Sequence, residues 1–154
     1  MASWSQVEAE APELVAFARE RFDAFTHKTL ATLRRDGSPR ISGSECQFRD
    51  GELFIGAMWK SVKALDLQRD PRYALHSGSE DPPGWSGDAK VAGRVEEIAD
   101  AGRVKEVNGE AVGRSHLFRC DISELVVVRL NDARDLLVIE SWHEGRGVNR
   151  VERA

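Results

Sequence analysis

The sequence predicts a mostly β domain with short helices, in which six or seven antiparallel strands form a closed or nearly closed barrel. Three observations carry this. Runs of four to eight residues rich in apolar and β-branched side chains recur along the chain, each bounded by Gly, Pro, Asp or Ser. The first links between them are only a few residues long, which suits hairpins and leaves no room for parallel crossovers. The helical patterns are short and lie between or before the strands.

Taken in order, Pro12 to Phe25 carries Leu14, Phe17, Ala18, Phe22 and Phe25 at helical spacing, with Glu13, Arg19, Glu20 and Asp23 around them. That is an amphipathic helix with one face to bury. Thr29 to Leu33 reads as a strand, Asp36-Gly37-Ser38-Pro39 as a turn, and Arg40 to Phe48 as a second strand. Arg49-Asp50-Gly51 is another tight turn, followed by a third strand from Glu52 to Ala57, so the three should form a meander. Ser61 is a good N-cap for a short helix to Arg69, on which Val62, Leu65 and Arg69 can share a face. Asp70-Pro71 stops it, and Arg72 to His76 starts another strand. Ser77 to Gly87 is a loop, Ala89 to Ile98 a strand, Asp100 to Val107 a short helix, and Gly109 to Ser115 a polar connection. Two strong strands follow, Ile122 to Leu130 and Leu136 to Trp142. The whole chain, 1–154, reads as one domain, with a helical segment in residues 1–27 and a charged, solvated tail in residues 143–154.

Composition narrows the function. A formal net charge of −4 gives no general affinity for nucleic acid or anionic membranes, so any anion site must be local. No apolar run approaches the roughly 20 residues of a membrane span. The N-terminus lacks the basic and apolar regions of a secretory signal, so a cytoplasmic location is expected. Cys46 and Cys120 form no CxxC pair and read as small sheet or core residues in a reducing compartment. His27, His76, His116 and His143 are scattered without metal-ligand spacing, so no metal site is expected. No G-x-S-x-G elbow, P-loop or G-x-G-x-x-G is present, and no residue stands out as an obligatory catalytic acid, base or nucleophile.

One stretch remains unexplained, MWKSVKALDLQRDP at residues 58–71. The chain has only five lysines among 22 basic residues, and two of them, Lys60 and Lys63, flank the start of a helix. The macrodipole is already positive there, so an anion would make the arrangement favourable. Free backbone N–H groups, the Ser61 hydroxyl and two ammonium groups compose a phosphate cradle. The competing reading is a surface helix with solvated lysines. The C-terminal Trp142 to Arg150 poses a similar choice between a site and an ordinary terminus.

From about His27 to Arg153 the chain resembles the flavin-binding split-barrel superfamily related to pyridoxamine 5′-phosphate oxidase, in its flavin- and deazaflavin-dependent oxidoreductase branch. The resemblance rests on LATLRRDGSPRIS at 30–42, DGELFIG at 50–56, SVKALDLQRDPR at 61–72 and GDAKVAGRV at 87–95, in that order and spacing. It implies a homodimeric split β-barrel with two cofactor sites at the subunit interface, and FMN or the deazaflavin coenzyme F420 as cofactor. The segment matching Ser61 to Lys63 would bind the cofactor phosphate, with Lys60 adding charge. Positions matching Arg40, Ile41 and Ser42, and Ala57, Met58 and Trp59, would line the ring system. Val62 stands where many relatives carry Arg, and lysine does not reproduce the bidentate fork of arginine. The implied activity is hydride transfer between the bound cofactor and a small organic substrate. Alternatives are a non-catalytic flavin or tetrapyrrole binder, for which His76, His116 or His143 could supply an axial ligand, or a pyridoxamine 5′-phosphate oxidase. A split barrel that has lost its cofactor is a further possibility.

Overall fold

The computed structural model describes residues 1–154. Two helices open the chain. Helix α1 (Trp4–Glu10) is fixed by a reciprocal capping box: the Gln6 N–H donates to Ser3 Oγ at 3.2 Å and the Ser3 N–H to Gln6 Oε1 at 2.8 Å. Helix α2 (Pro12–Ala24) begins on a proline, whose missing N–H costs nothing at that position. Trp4 and Val7 of α1 and Leu14, Val15, Ala18 and Phe22 of α2 enter the main core. There Trp4 packs on Phe48 with ring centroids 4.6 Å apart.

Nine strands follow: β1 (Lys28–Leu33), β2 (Pro39–Ser44), β3 (Cys46–Arg49), β4 (Glu52–Met58), β5 (Arg72–His76), β6 (Asp88–Glu97), β7 (Ser115–Leu130), β8 (Leu137–His143) and β9 (Gly147–Arg153). Helix α3 (Val62–Arg69) links β4 to β5, and α4 (Ala101–Asn108) links β6 to β7. All pairings are antiparallel, in the order β2-β1-β5-β6-β7-β4-β3, with β8 on β7 and β9 on β8. The sheet is not closed, because β2 and β3 end its main path without pairing to each other.

This differs from the sequence reading at four places. The segment from Arg40 to Phe48 breaks at Glu45 into β2 and β3, which belong to opposite ends of the sheet, so no meander forms. The tail is not irregular: it forms β9, paired with β8 from Gly147↔His143 to Arg153↔Leu137, with nearly all its side chains exposed. These two changes give nine strands rather than six or seven. Strand β7 starts at Ser115 instead of Ile122, and α1 adds a helix before Pro12.

Strand β7 organises the sheet. Its first half pairs with β4, from Ser115↔Met58 to Cys120↔Leu53, and its second half with β8, from Glu124 to Leu130. On the other side β6 runs along both halves. The change of partner falls at a bulge, where Gly93 faces Ile122, Ala92 faces Glu124, and Ser123 is the extra residue. Ser123 Oγ donates to Ala92 O at 3.2 Å, and its carbonyl accepts from the Glu144 N–H at 3.0 Å. Gly93 has no room for a side chain: a Cβ there would lie 2.0 Å from the Asp121 carbonyl oxygen. Phe118, Cys120 and Ile122 face the main core, whereas Leu117 joins Phe54, Val104 and Val107 under α4. Both faces of this half-strand are therefore covered, which removes the alternation a half-exposed strand shows.

Both cysteines are free; Cys120 is buried, and burial pushes the Cys46 thiol up to about 11. No helix is long and apolar enough to cross a membrane. Gly93→Ala is expected to destabilise the fold by about 3 kcal/mol or more, since backbone rather than a mobile side chain must yield. Thermal unfolding checks this, and a melting temperature within a degree of wild type would contradict the close approach.

Candidate functional site

The candidate site is built around the four-residue turn Met58–Ser61 and the first turn of α3. Strand β4 delivers the turn, which is closed by the Ser61 N–H donating to Met58 O at 3.1 Å. Lys60, at its third position, has φ +58°, a left-handed conformation usually left to Gly or Asn. Its N–H donates to His116 Nε2 at 3.1 Å, and the Trp59 indole stacks on the same imidazole at 4.4 Å and 13°. His116 is buried, and its Nδ1 lies 2.6 Å from Glu97 Oε1. Because Nε2 accepts from the Lys60 N–H, the ring proton belongs on Nδ1, donated to the carboxylate.

Ser61 occupies the N-cap of α3, yet its hydroxyl caps nothing. Its Oγ is buried without a hydrogen-bond partner. Beside it the Lys63 ammonium donates to Gly43 O at 2.9 Å and retains two further donors. Loss of hydration lowers the Lys63 pKa from the ordinary lysine range, and the nearby Glu45 carboxylate partly opposes that shift. The Lys60 side chain is exposed and makes no ion pair or hydrogen bond. The first N–H groups of a helix have no partner within it, so free amides stand at the helix end that Ser61 occupies.

Two concavities flank this helix end. One, of about 830 Å³, is lined by Gly43, Ser44, Glu45, Ala57, Met58 and Lys63 together with Asn108, Glu110, Arg114 and Ser115. That volume lies within the range of small-molecule and cofactor sites. Gly56 borders it as well, with Asn108 Oδ1 only 2.8 Å from where a Cβ would stand. The second concavity, about 820 Å³, is lined by Arg34, Arg35, Arg40, Val62, Leu65 and Arg69 together with Asp36, Asp66 and Gln68.

The nine site residues inferred from the sequence are thus distributed unevenly. Ala57, Met58 and Lys63 line the first concavity, and Arg40 the second. Trp59, Lys60 and Ser61 form the turn between β4 and the helix. Ile41 and Ser42 lie on β2, an end strand of the sheet, with Ile41 74% exposed. Trp59 is engaged with His116 rather than lining either concavity. Arg40 donates through Nε to Asp66 Oδ2 at 2.7 Å, which leaves its terminal nitrogens without protein partners. His116 had no role in the sequence reading beyond a possible axial ligand, and no local motif signals its bond to a residue 56 positions away.

Asp66 anchors α3 against the sheet. Its carboxylate accepts from Thr32 Oγ1 at 2.8 Å, Arg40 Nε at 2.7 Å and Arg69 Nη2 at 2.9 Å. Burial would raise its pKa, but these three bonds outweigh burial and hold it below the ordinary Asp value.

No protein-family model matches the sequence, and no curated protein does. Solved structures do share the fold. A pyridoxamine 5′-phosphate oxidase-related, FMN-binding protein from Nostoc punctiforme superposes with a TM-score of 0.66 at 14% identity, covering 92% of this chain and 95% of that one. An F420 reductase gives 0.55 at 17% identity over 70% and 94%. A heme binding protein from Mycobacterium smegmatis gives 0.57 at 13% identity over 90% and 86%. The chain therefore has the split-barrel fold of these proteins.

Because the folded-state pKa of Asp66 is depressed, its stabilisation is present above the unfolded Asp value and is lost as pH falls through the folded one. Asp66→Asn is expected to cost about 1.5–3 kcal/mol at neutral pH. It should also flatten the loss of stability below about pH 4. Urea unfolding at pH 7 and pH 3 checks both, and an equal cost at the two pH values would contradict the network.

Proposed function

We propose that the protein binds a phosphorylated flavin or deazaflavin, FMN or F420, at the start of α3 and acts as an oxidoreductase on a small organic substrate. The observation that carries this is the Ser61 hydroxyl, buried without a protein partner at the N-terminus of a helix whose first turn also carries Lys63. Such a group is satisfied from outside the chain, by an ordered water or a ligand. Of the buried unpaired atoms (Arg21 Nε, Glu52 Oε2, Ser61 Oγ and Asp88 Oδ1), this one stands at a helix N-terminus. Ser61, Lys63 and the first amides of α3 would hold the phosphate, with Lys60 as a flexible point charge. The FMN-binding and F420 reductase structures of the same fold support this ligand class.

When bound, the cofactor would supply hydride chemistry, and the chain's own residues bind and orient it. Gly43 allows close approach to the backbone, and Met58 offers an apolar surface that is 78% exposed. No catalytic acid or base is assigned, and a water could supply the proton.

Ile41, Met58, Trp59, Val62 and Leu65 are exposed apolar residues around the same helix end, and β2 is an unpaired strand edge beside them. We assign their cover to a second copy of the chain, which would complete the site as a homodimer. The tetrapyrrole alternative, suggested by the heme binding protein, has less support from the side chains. His76, His116 and His143 are each hydrogen-bonded within the chain, and the only histidine lining the larger concavity is His27.

Ser61→Ala should weaken FMN or F420 binding by about 1 kcal/mol while leaving the cofactor-free protein as stable or slightly more so. Lys63→Ala should cost about 1.5–3 kcal/mol of binding, and Lys60→Ala less. Val62→Arg, which adds a planar fork to the same turn, should tighten binding. Fluorescence or absorbance titration of both cofactors into the four variants measures this, and unchanged affinity for Ser61→Ala and Lys63→Ala together would remove the phosphate from this turn. Sedimentation should give a dimer at micromolar concentration and a monomer for the Met58→Glu/Leu65→Glu double variant. A monomeric wild-type protein would overturn the shared site.

A further inference from the structure

Lys60 adopts a left-handed backbone conformation in a turn where glycine is the usual residue, so something must hold it there. The holding groups lie far away in sequence. His116, near the start of β7, accepts the Lys60 N–H on Nε2 and stacks under Trp59. Its Nδ1 meets Glu97 Oε1 at the end of β6. The other Glu97 oxygen accepts from Gln68 Nε2 at 2.8 Å, and Gln68 lies in the last turn of α3.

The bonds therefore run from the turn before α3, through His116 and Glu97, to the far end of the same helix. Helix α3 is clasped at both ends by one buried imidazole and its carboxylate. A side chain that only filled space would not need Nε2 free of its proton and aimed at an amide. Asn108 of α4 completes the surroundings, with Nδ2 donating to the His116 backbone carbonyl at 3.0 Å and to Ser115 Oγ.

We infer that His116 is a positioning residue for the anion site. By fixing the Lys60 amide it sets where Ser61 and the first amides of α3 point, and so determines affinity for a phosphate group it never touches. This rests on the reading that a phosphorylated ligand sits at Ser61 and Lys63. The neutral tautomer with the proton on Nδ1 is the working form, because protonation of Nε2 would replace the acceptor with a second donor facing the Lys60 N–H.

Three proteins test it: wild type, His116→Ala and His116→Gln. The glutamine carbonyl can stand in for Nε2 as acceptor while giving up the bond to Glu97. Two readouts apply, FMN titration at pH 8 and hydrogen exchange of the Lys60 amide in the ligand-free protein. The expected result is a protected Lys60 amide and FMN binding in wild type. His116→Ala should lose the protection and weaken binding about tenfold, as for one lost hydrogen bond. His116→Gln should recover both to within about threefold, even if its melting temperature stays as low as that of the alanine variant. Nitrogen shifts of the imidazole should report the Nδ1–H tautomer.

FMN binding in His116→Ala equal to wild type, with Lys63→Ala still impaired, would overturn the positioning role and leave the phosphate site standing. Binding in His116→Gln as weak as in His116→Ala would reduce His116 to a packing residue. An unprotected Lys60 amide in wild type would remove the clasp itself. Failure of the wild-type protein to bind FMN, F420 and inorganic phosphate alike would overturn the site and this inference together.

Discussion

The close approach of Gly93 to the Asp121 carbonyl governs more of this molecule than any other contact. With no side chain at Gly93, β6 can stay paired to β7 through the bulge at Ser123, and β7 can change partner from β4 to β8 without losing its other neighbour. The ends of that bent strand serve different purposes. Beyond the bulge, Leu125 and Val127 face the core beneath α2 while β8 and β9 extend the sheet. Before it, the strand carries His116 to the base of the turn that starts α3. A defect at Gly93 would thus reach the candidate site along β7, from Asp121 to His116, rather than through a loop.

Local grammar was legible wherever one residue type decides a local conformation. The hairpin turn at Asp36–Pro39, the N-cap position at Ser61 and the stop at Asp70-Pro71 all correspond to element ends. The Ser3…Gln6 capping box was equally local and marks α1, but it precedes a helix of only seven residues with a weak apolar pattern. Strand β9 alternates little, because nearly all its residues are exposed, so only its pairing with β8 identifies it. The first half of β7 hides for the opposite reason. Core packing on one face and α4 on the other bury consecutive residues His116, Leu117 and Phe118.

Which strand pairs with which was less legible than which residues form strands. Short links predict hairpins, and β1–β2 and β3–β4 are hairpins. Nothing at Glu45 announces that the chain leaves one end of the sheet and starts at the other. The consequence is functional as well as topological. That break puts Gly43 and Ser44 in the lining of the larger concavity with Met58 and Lys63, where Gly43 O accepts from the Lys63 ammonium.

Charge in the site follows from the same geometry. The chain is acidic as a whole, yet four arginines and two lysines gather around α3. Asp66 accounts for part of this: it engages Arg40 and Arg69 and stitches α3 to β1 and β2. Asp66 neutralises only one equivalent, and the bonds leave the terminal nitrogens of Arg40 unused. The helix is therefore tied down on its buried side by an anion supplied by the chain, while its N-terminus and the arginine-lined concavity remain electropositive. A second buried carboxylate near Ser61 would have satisfied the orphan hydroxyl and the helix end at once. Its absence leaves the positive end of α3 available for a negative group from outside the chain. The His116 clasp holds that end in a backbone conformation the turn would not adopt by itself.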